Sequence, residues 1–115
     1  MAPVGTKCMV CVTIPMQPGK APAALELFQT HEMGIKYTLA SKGALKFDLG
    51  VCGDDLVIFE FWASSEDFTA YFATRGDAEK MKDWNPSFMP LVAGAPAFKI
   101  MEYGYSAEPS TFGCF

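Results

Sequence analysis

Glu60 and Trp62 are the residues whose types and spacing point most directly to chemistry. They lie two positions apart in an apolar run with the pattern of a strand, so both side chains project from one face. A carboxyl group beside an indole on an apolar face should have a raised pKa, because desolvation disfavours its charged form. Glu60 therefore suits acid/base catalysis, although a structural ion pair or a bond to neighbouring backbone is the alternative.

A second set of candidates follows on the next predicted helix, where Phe68, Tyr71 and Phe72 share one face. The phenol of Tyr71 could donate to a substrate oxygen or stabilise an oxyanion. Trp62 could stack on a flat aromatic ligand. Arg75, at the predicted end of the helix, could hold an acidic or phenolate ligand. Core packing of the rings and a solvated Arg75 are the alternatives.

His31 is the one histidine of the chain and falls on the apolar side of the first predicted helix. Its unperturbed pKa lies near neutrality, which makes it a candidate catalytic base. A purely structural role in packing is the alternative.

Cys8 and Cys11 form a C-x-x-C pair within a predicted strand. Residues three apart on a strand point to opposite faces, which is unsuitable for chelation or for a redox pair. The sequence has no second C-x-x-C pair, so we expect no metal site and buried, reduced thiols.

Apolar periodicity and turn residues predict the order β-α-β-β-α-(α)-β. This is the split βαβ arrangement of an α+β, ferredoxin-like fold with an antiparallel sheet. We expect one domain over residues 1–105 and a C-terminal tail over 106–115. The predicted strands are 7–14, 44–52, 56–62 and 97–105, and the predicted helical segments are 21–34, 64–76, 77–84 and 87–92. Alternation over 44–52 predicts a half-buried strand with Leu45 on its apolar face. Ser64 is the predicted N-cap of the segment 64–76, and Asn85-Pro86 is predicted to break the helix after residue 84.

The predicted strands are apolar on both faces, and helices can cover only one. The 115-residue chain also carries ten Phe, four Tyr and two Trp, more ring area than a small monomer readily buries. We therefore predict a homodimer in which a second sheet covers the open face.

The charge balance limits the classes of partner. The formal net charge is −4, and no dense Lys/Arg cluster occurs. Nucleic acid and anionic membrane surfaces are therefore not expected partners. No apolar run approaches 18 residues, and the first residues lack the layout of a signal peptide, which predicts a cytoplasmic location.

The segment 59–72, Phe-Glu-Phe-Trp-Ala-Ser-Ser-Glu-Asp-Phe-Thr-Ala-Tyr-Phe, resembles the characteristic region of the antibiotic-biosynthesis-monooxygenase-like family, within the dimeric α/β barrel superfamily. In that family the third strand ends in Glu-x-Trp and is followed by a polar turn and an amphipathic helix. The resemblance extends over residues 8–105, including Pro18-Gly19-Lys20 at the start of the first helix.

This resemblance implies a ligand pocket between the sheet and the helices and, in some members, oxygenation of quinol-like aromatics without metal or flavin. Many members carry a histidine in the helix after the tryptophan, where this chain has Tyr71. The haem-degrading relatives use an Asn of the first strand and a helix His that binds the haem. Haem degradation is disfavoured for this chain, because its first strand has no Asn and its second helix has no His.

We therefore expect a cofactor-independent monooxygenase of a small phenolic, quinol or polyketide-like aromatic. Glu60 or His31 would be the base, with Trp62 and Tyr71 as orienting donors. Two alternatives stay open on the same scaffold. One is a non-oxidative cyclase or isomerase, and the other is a dimer that binds a small ligand without catalysis.

Overall fold

The computed structural model describes residues 7–105 and 107. The predicted tail over 106–115 lies outside the described residues, apart from residue 107. The elements, in chain order, are β1 (Cys8–Pro15), α1 (Ala21–Thr30), α2 (Ile35–Leu39), β2 (Ala44–Cys52), β3 (Asp55–Trp62), α3 (Ser65–Arg75), α4 (Asn85–Phe88), a 3₁₀ turn (Met89–Leu91) and β4 (Ala97–Glu102).

The four strands form one antiparallel sheet in the order β2-β3-β1-β4. Residues that pair directly share a face of the sheet. Val10 pairs with Glu60 on one side and with Ile100 on the other. The helices cover the face that carries Val10, so Glu60 projects from the middle of the sheet towards them. This arrangement confirms the α+β, ferredoxin-like fold.

The β2–β3 hairpin is tighter than predicted, because Cys52 pairs with Asp55 and only two residues form the link. Gly53 has a φ of +61° at the first link position, a conformation that glycine adopts without strain. A bulge between Ala44 and Lys46 also interrupts the regular alternation of β2. Leu45, expected on the buried face, is consequently 53% exposed.

The helical segments differ most from the predictions. The predicted helix over 21–34 ends early, because His31 is extended at the C-cap of α1, and the short helix α2 follows it. Residues 77–84 form turns and no helix. The helix α4 begins at Asn85, where Asn85-Pro86 was expected to break one. Proline in the first turn of a helix is favourable, since its missing N–H has no helical partner there.

The core lies between the sheet and the helices and is built largely from β1, β3 and aromatic side chains. The opposite face carries a partly exposed apolar set, which we call the outer face. Phe59 on this face is 40% exposed. The outer face consists of Met9, Cys11, Phe59, Phe61 and Met101.

The three cysteines within the described residues are free. Cys8 is buried and Cys11 half-buried on the opposite face, as the strand geometry predicted, and Cys52 is exposed. A tight hairpin turn leaves its strand ends open to water, which accounts for Cys52. None of the helices in the described ranges is long and apolar enough to cross a membrane.

Candidate functional site

A cavity of about 210 Å³ lies between the covered face of the sheet and the helices. Its wall is mostly apolar, with side chains from all of β1, β3, β4, α1, α3 and α4. Aromatic rings dominate this wall: Phe28, Phe68, Phe72, Trp84, Phe88 and Phe98. Such a wall matches a flat apolar ligand.

The rings form two groups around the cavity. Phe28 and Phe88 both pack on Trp84, with ring centroids 4.8 and 5.0 Å away. On the other side, Phe72 stacks on Phe68 at 5.7 Å and meets Phe98 edge-on at 4.9 Å. The first group lies deeper, whereas Phe72 and Phe98 are partly exposed and form the rim of the cavity.

Glu60 is the acidic side chain of this wall and is only 5% exposed. Its Oε1 accepts a 3.0 Å hydrogen bond from Nε1 of the fully buried Trp62. Burial raises the pKa of Glu60, and the Trp62 N–H and the Arg75 charge lower it by less. The other oxygen, Oε2, has no partner within the described part of the chain. Because no fully buried side-chain oxygen there lacks a partner, Oε2 is open to the cavity.

Tyr71 is held beside Glu60 by α3. This helix begins after Ser64, whose hydroxyl accepts a 3.1 Å hydrogen bond from the N–H of Asp67, as predicted for an N-cap. One helical turn further along, Phe68 and Tyr71 are both buried. Burial raises the pKa of Tyr71, while the Arg75 charge opposes this effect and the Glu60 charge adds to it.

Arg75 lines the same cavity and organises the polar groups behind it. Its Nε donates to the Tyr71 hydroxyl at 2.6 Å, and its Nη2 donates to Thr38 Oγ1 at 3.0 Å and to the Gly34 carbonyl at 3.2 Å. Its Nη1 donates to the Met33 carbonyl at 2.5 Å and to the sulfur of Met81 at 3.5 Å. We call this set the Arg75 cluster: Met33, Gly34, Thr38, Tyr71, Arg75 and Met81.

The helix α2 contributes Thr38 to this cluster, a residue that the sequence analysis did not select. Thr38 is buried, and its hydroxyl lies 2.8 Å from that of Tyr71 and donates to the Gly34 carbonyl. Gly34 itself is required for the packing of α2 against α1, because a Cβ there would overlap the main chain of Phe28. The signal in the sequence was the glycine, which was interpreted only as a helix end.

No protein-family model matches the sequence, and no curated protein matches it significantly. Solved structures do match over most of the chain. A candidate antibiotic biosynthesis monooxygenase from Nitrosomonas europaea is 15% identical with a TM-score of 0.68, covering 94% of this chain and 100% of that one. A monooxygenase from Streptomyces coelicolor, from the gene ActVA-Orf6 and in complex with nanaomycin D, is 19% identical with a TM-score of 0.69, covering 92% and 93%.

A candidate antibiotic biosynthesis monooxygenase from Caulobacter crescentus matches about equally well. It is 20% identical with a TM-score of 0.67, covering 89% of this chain and 93% of that one. This chain has the fold of the antibiotic biosynthesis monooxygenases. The resemblance predicted from residues 59–72 is confirmed at the level of the fold.

Within this monooxygenase-type fold, the cavity brings together most of the residues selected from the sequence: Glu60, Phe68, Tyr71, Phe72 and Arg75. Trp62 lies behind Glu60 and donates its N–H to Glu60. The sequence had instead suggested that this N–H would donate to a ligand. Trp62 also packs on Tyr71, with ring centroids 4.9 Å apart.

His31 lies outside the wall of this cavity. Its Nδ1 accepts from the N–H of Met33 at 3.0 Å, which leaves Nε2 to donate to the Asp83 carbonyl at 3.1 Å. Its ring meets Trp84 edge-on at 5.3 Å. Both ring nitrogens are therefore engaged by the protein, and the packing alternative describes the observed contacts.

Asn85 is a polar residue of the cavity wall that the sequence analysis did not select, because Asn85-Pro86 was interpreted as a helix break. Among the described residues, no group of three or more His, Cys, Asp or Glu side chains could hold a metal ion.

Proposed function

We propose that this chain is a small-molecule enzyme, a cofactor-independent monooxygenase of phenolic, quinol or polyketide-like aromatics. The observation that carries the proposal is Glu60, a buried carboxyl group with one oxygen fixed by Trp62 and the other open to an aromatic-walled cavity. The complex of the Streptomyces coelicolor monooxygenase with nanaomycin D supports a small-molecule ligand for this chain.

In this proposal Glu60 is the base. Its raised pKa makes its carboxylate a better proton acceptor than an exposed one. Oε2 takes a proton from a phenolic hydroxyl or from the activated CH₂ of an anthrone-like ligand. The ligand is left as an anion, rich in electrons and stacked among the rings of the wall.

Oxygen is then reduced by the ligand itself. The electron pair of the anion forms a bond from carbon to one oxygen of O₂, which gives a carbon-bound hydroperoxide once a proton is returned from Glu60. Loss of water by cleavage of the O–O bond leaves a carbonyl at that carbon. The overall change is CH₂ plus O₂ to C=O plus H₂O, so the ligand is oxidised and O₂ is the only oxidant.

Tyr71 and Arg75 stabilise the delocalised negative charge of the ligand anion through their electric field and not through a hydrogen bond, because the Tyr71 proton and the Arg75 N–H groups are bonded within the Arg75 cluster. Tyr71 lines the cavity, and its hydroxyl accepts from Arg75 at 2.6 Å and donates to Thr38, whose own proton goes to the Gly34 carbonyl. Fixed dipoles aimed at a developing charge lower a barrier without reorganisation. Trp62 has a positioning role, because it selects one orientation of the Glu60 carboxyl group. Phe68 and Phe72 would contact the aromatic ligand.

Oxygen uptake by metal-stripped protein, supplied with dihydroxynaphthalenes and anthrones, tests the proposal. Glu60→Gln should abolish uptake and Tyr71→Phe should reduce it, with the exposed Glu66→Gln as a matched control for loss of one charge. Turnover of a ligand without oxygen uptake would support the cyclase or isomerase hypothesis. Ligand binding with no turnover would instead support a binding protein.

We propose, in addition, that a second copy of the chain covers the outer face. Phe59 and Met101 are partly exposed there, which is unfavourable in water. Light scattering on a sizing column should give twice the mass of one chain. Phe59→Lys should shift the protein to the monomer mass, whereas Ala73→Lys, on the exposed side of α3, should not. A wild-type monomer would overturn this proposal.

A further inference from the structure

Arg75 is the only basic residue that lines the cavity within the described part of the chain. It would be the expected partner of an acidic ligand. A guanidinium group has five N–H donors, and the Arg75 cluster uses all five. The acceptors are the Tyr71 hydroxyl, the Thr38 hydroxyl, two main-chain carbonyls and the Met81 sulfur.

Three aromatic rings also pack close to the guanidinium group. The rings of Tyr37, Tyr71 and Trp84 lie with their centroids 5.1, 5.4 and 5.3 Å from the central carbon of Arg75. No N–H donor of Arg75 is therefore free for a ligand carboxylate. A ligand that recruited Arg75 would have to leave protein acceptors without their donor, at a substantial cost in free energy.

The polar groups that remain open to the cavity provide no positive charge to pair with a ligand carboxylate. Glu60 Oε2 is an acidic oxygen, and the Asn85 amide is uncharged. The Asn85 side chain makes no hydrogen bond within residues 7–105 or with 107. An amide can both donate to a carbonyl oxygen and accept from a hydroxyl.

From this geometry we propose that the cavity selects uncharged aromatic ligands bearing a hydroxyl or carbonyl oxygen, and excludes otherwise identical ligands that carry a carboxylate. The inference rests on the proposed function in that it names the charge class of ligand for the same site. A ligand carboxylate would lie against a wall that already contains Glu60, and no free cation of the wall could pair with it. Like charges at close range are strongly unfavourable.

Binding of a matched ligand pair tests this selection without any turnover. 1-Hydroxy-2-naphthamide and 1-hydroxy-2-naphthoate differ little in shape, and only the second is anionic at pH 7. Titration calorimetry with wild-type protein should give at least about tenfold tighter binding of the amide, since like-charge contact costs more than the 1.4 kcal/mol of one such factor.

Two variants test whether Glu60 causes this difference in affinity between the amide and the naphthoate. Glu60→Gln should reduce the difference to less than about threefold, mainly because the naphthoate binds more tightly. Glu66→Gln removes the same charge from the surface of α3, outside the cavity, and should leave the difference unchanged. A parallel change in both variants would mean that net charge governs binding, and this would overturn the proposal.

The wild-type comparison decides the proposal even if a variant fails to fold. Equal or tighter binding of the naphthoate would overturn it, because the anion would then have found a cation in the cavity. Failure of both ligands to bind would overturn the ligand class as well. Oxygen uptake is independent of these outcomes, since an oxygenase that accepts carboxylated substrates would retain the proposed function and contradict only the charge selection.

Discussion

The wall of the cavity holds two charged groups, the buried Glu60 and the half-buried Arg75, whose hydrogen bonds are arranged in opposite ways. All five N–H donors of Arg75 form hydrogen bonds to acceptors of the protein. Glu60 has one oxygen bonded to Trp62 and the other open to the cavity. A group that is fully bonded stabilises the fold, whereas a group left half-bonded has capacity for a ligand. Proximity to a cavity therefore does not by itself identify a binding residue.

The largest expected effect is that of Arg75→Met, which keeps much of the volume and removes every donor. Two carbonyls and two hydroxyls of the Arg75 cluster would lose a partner. The free energy of unfolding should fall by about 3 kcal/mol, measured by urea denaturation. Arg75→Lys should rescue little of this, because an ammonium group cannot reproduce the planar fork. A loss below about 1 kcal/mol would contradict the structural role of Arg75.

Gly34→Ala should have the next largest effect. The added methyl group overlaps the main chain of Phe28, which cannot move without shifting α1. The Gly34 carbonyl would move with it, away from Arg75 and Thr38. We expect a loss of about 2 kcal/mol in urea denaturation. Gly50→Ala is the matched control, since nothing lies within 4 Å of a Cβ there, and it should change stability by less than about 0.5 kcal/mol.

Tyr71→Phe separates a role in stability from a role in oxygen uptake, because the Tyr71 hydroxyl belongs to the Arg75 cluster and the side chain also lines the cavity. Loss of one buried bond to a charged donor should cost about 1.5 kcal/mol, and oxygen uptake should fall as well. Tyr37→Phe is the comparison. It removes the 2.8 Å bond from the Tyr37 hydroxyl to Thr74 and should lower stability without changing oxygen uptake. Equal uptake in both variants would argue against a role for Tyr71 in chemistry.

The smallest expected effect is a change in pH dependence on replacing Glu60. Burial raises the pKa of Glu60 above 4.5 in the folded state. The folded protein then binds this proton more tightly than the unfolded chain, so stability falls as pH rises from about 4.5 through the folded-state pKa. Relative to wild type, Glu60→Gln should gain stability over that window, measured by urea denaturation at stepped pH. Glu66→Gln should follow the wild-type curve, and a flat difference for Glu60→Gln would contradict the raised pKa.

Much of the fold followed from local patterns. Alternation located β2, a nearly continuous apolar run located β3, Ser64 was correctly predicted as an N-cap, and equal parity placed Glu60 and Trp62 on one face of the sheet. The raised pKa of Glu60 was also predicted and is confirmed in direction. These features depend on residues close in sequence, so the sequence carries enough information to predict them.

The features that were missed depend on contacts between distant residues. The helix α2 spans only five residues, too few for a periodic pattern, and Thr38 matters because it meets Arg75, 37 positions later. Arg75 was identified as a cavity residue, but its bonding could not be anticipated, since three acceptors come from residues 33–38. Asn85 was misinterpreted because a proline after it is compatible with both the end and the start of a helix.

The position of β4 in the sheet has a consequence for how the amide protons of the strands exchange with solvent. β1 is bonded to a strand on each side, whereas β4 is bonded to β1 alone and is exposed at every residue. Amide exchange should therefore be slowest in β1, where it requires global unfolding, and faster in β4, where local opening suffices. Phe98 lies on β4 at the rim of the cavity, so the ligand would meet the protein at an edge strand that can open locally.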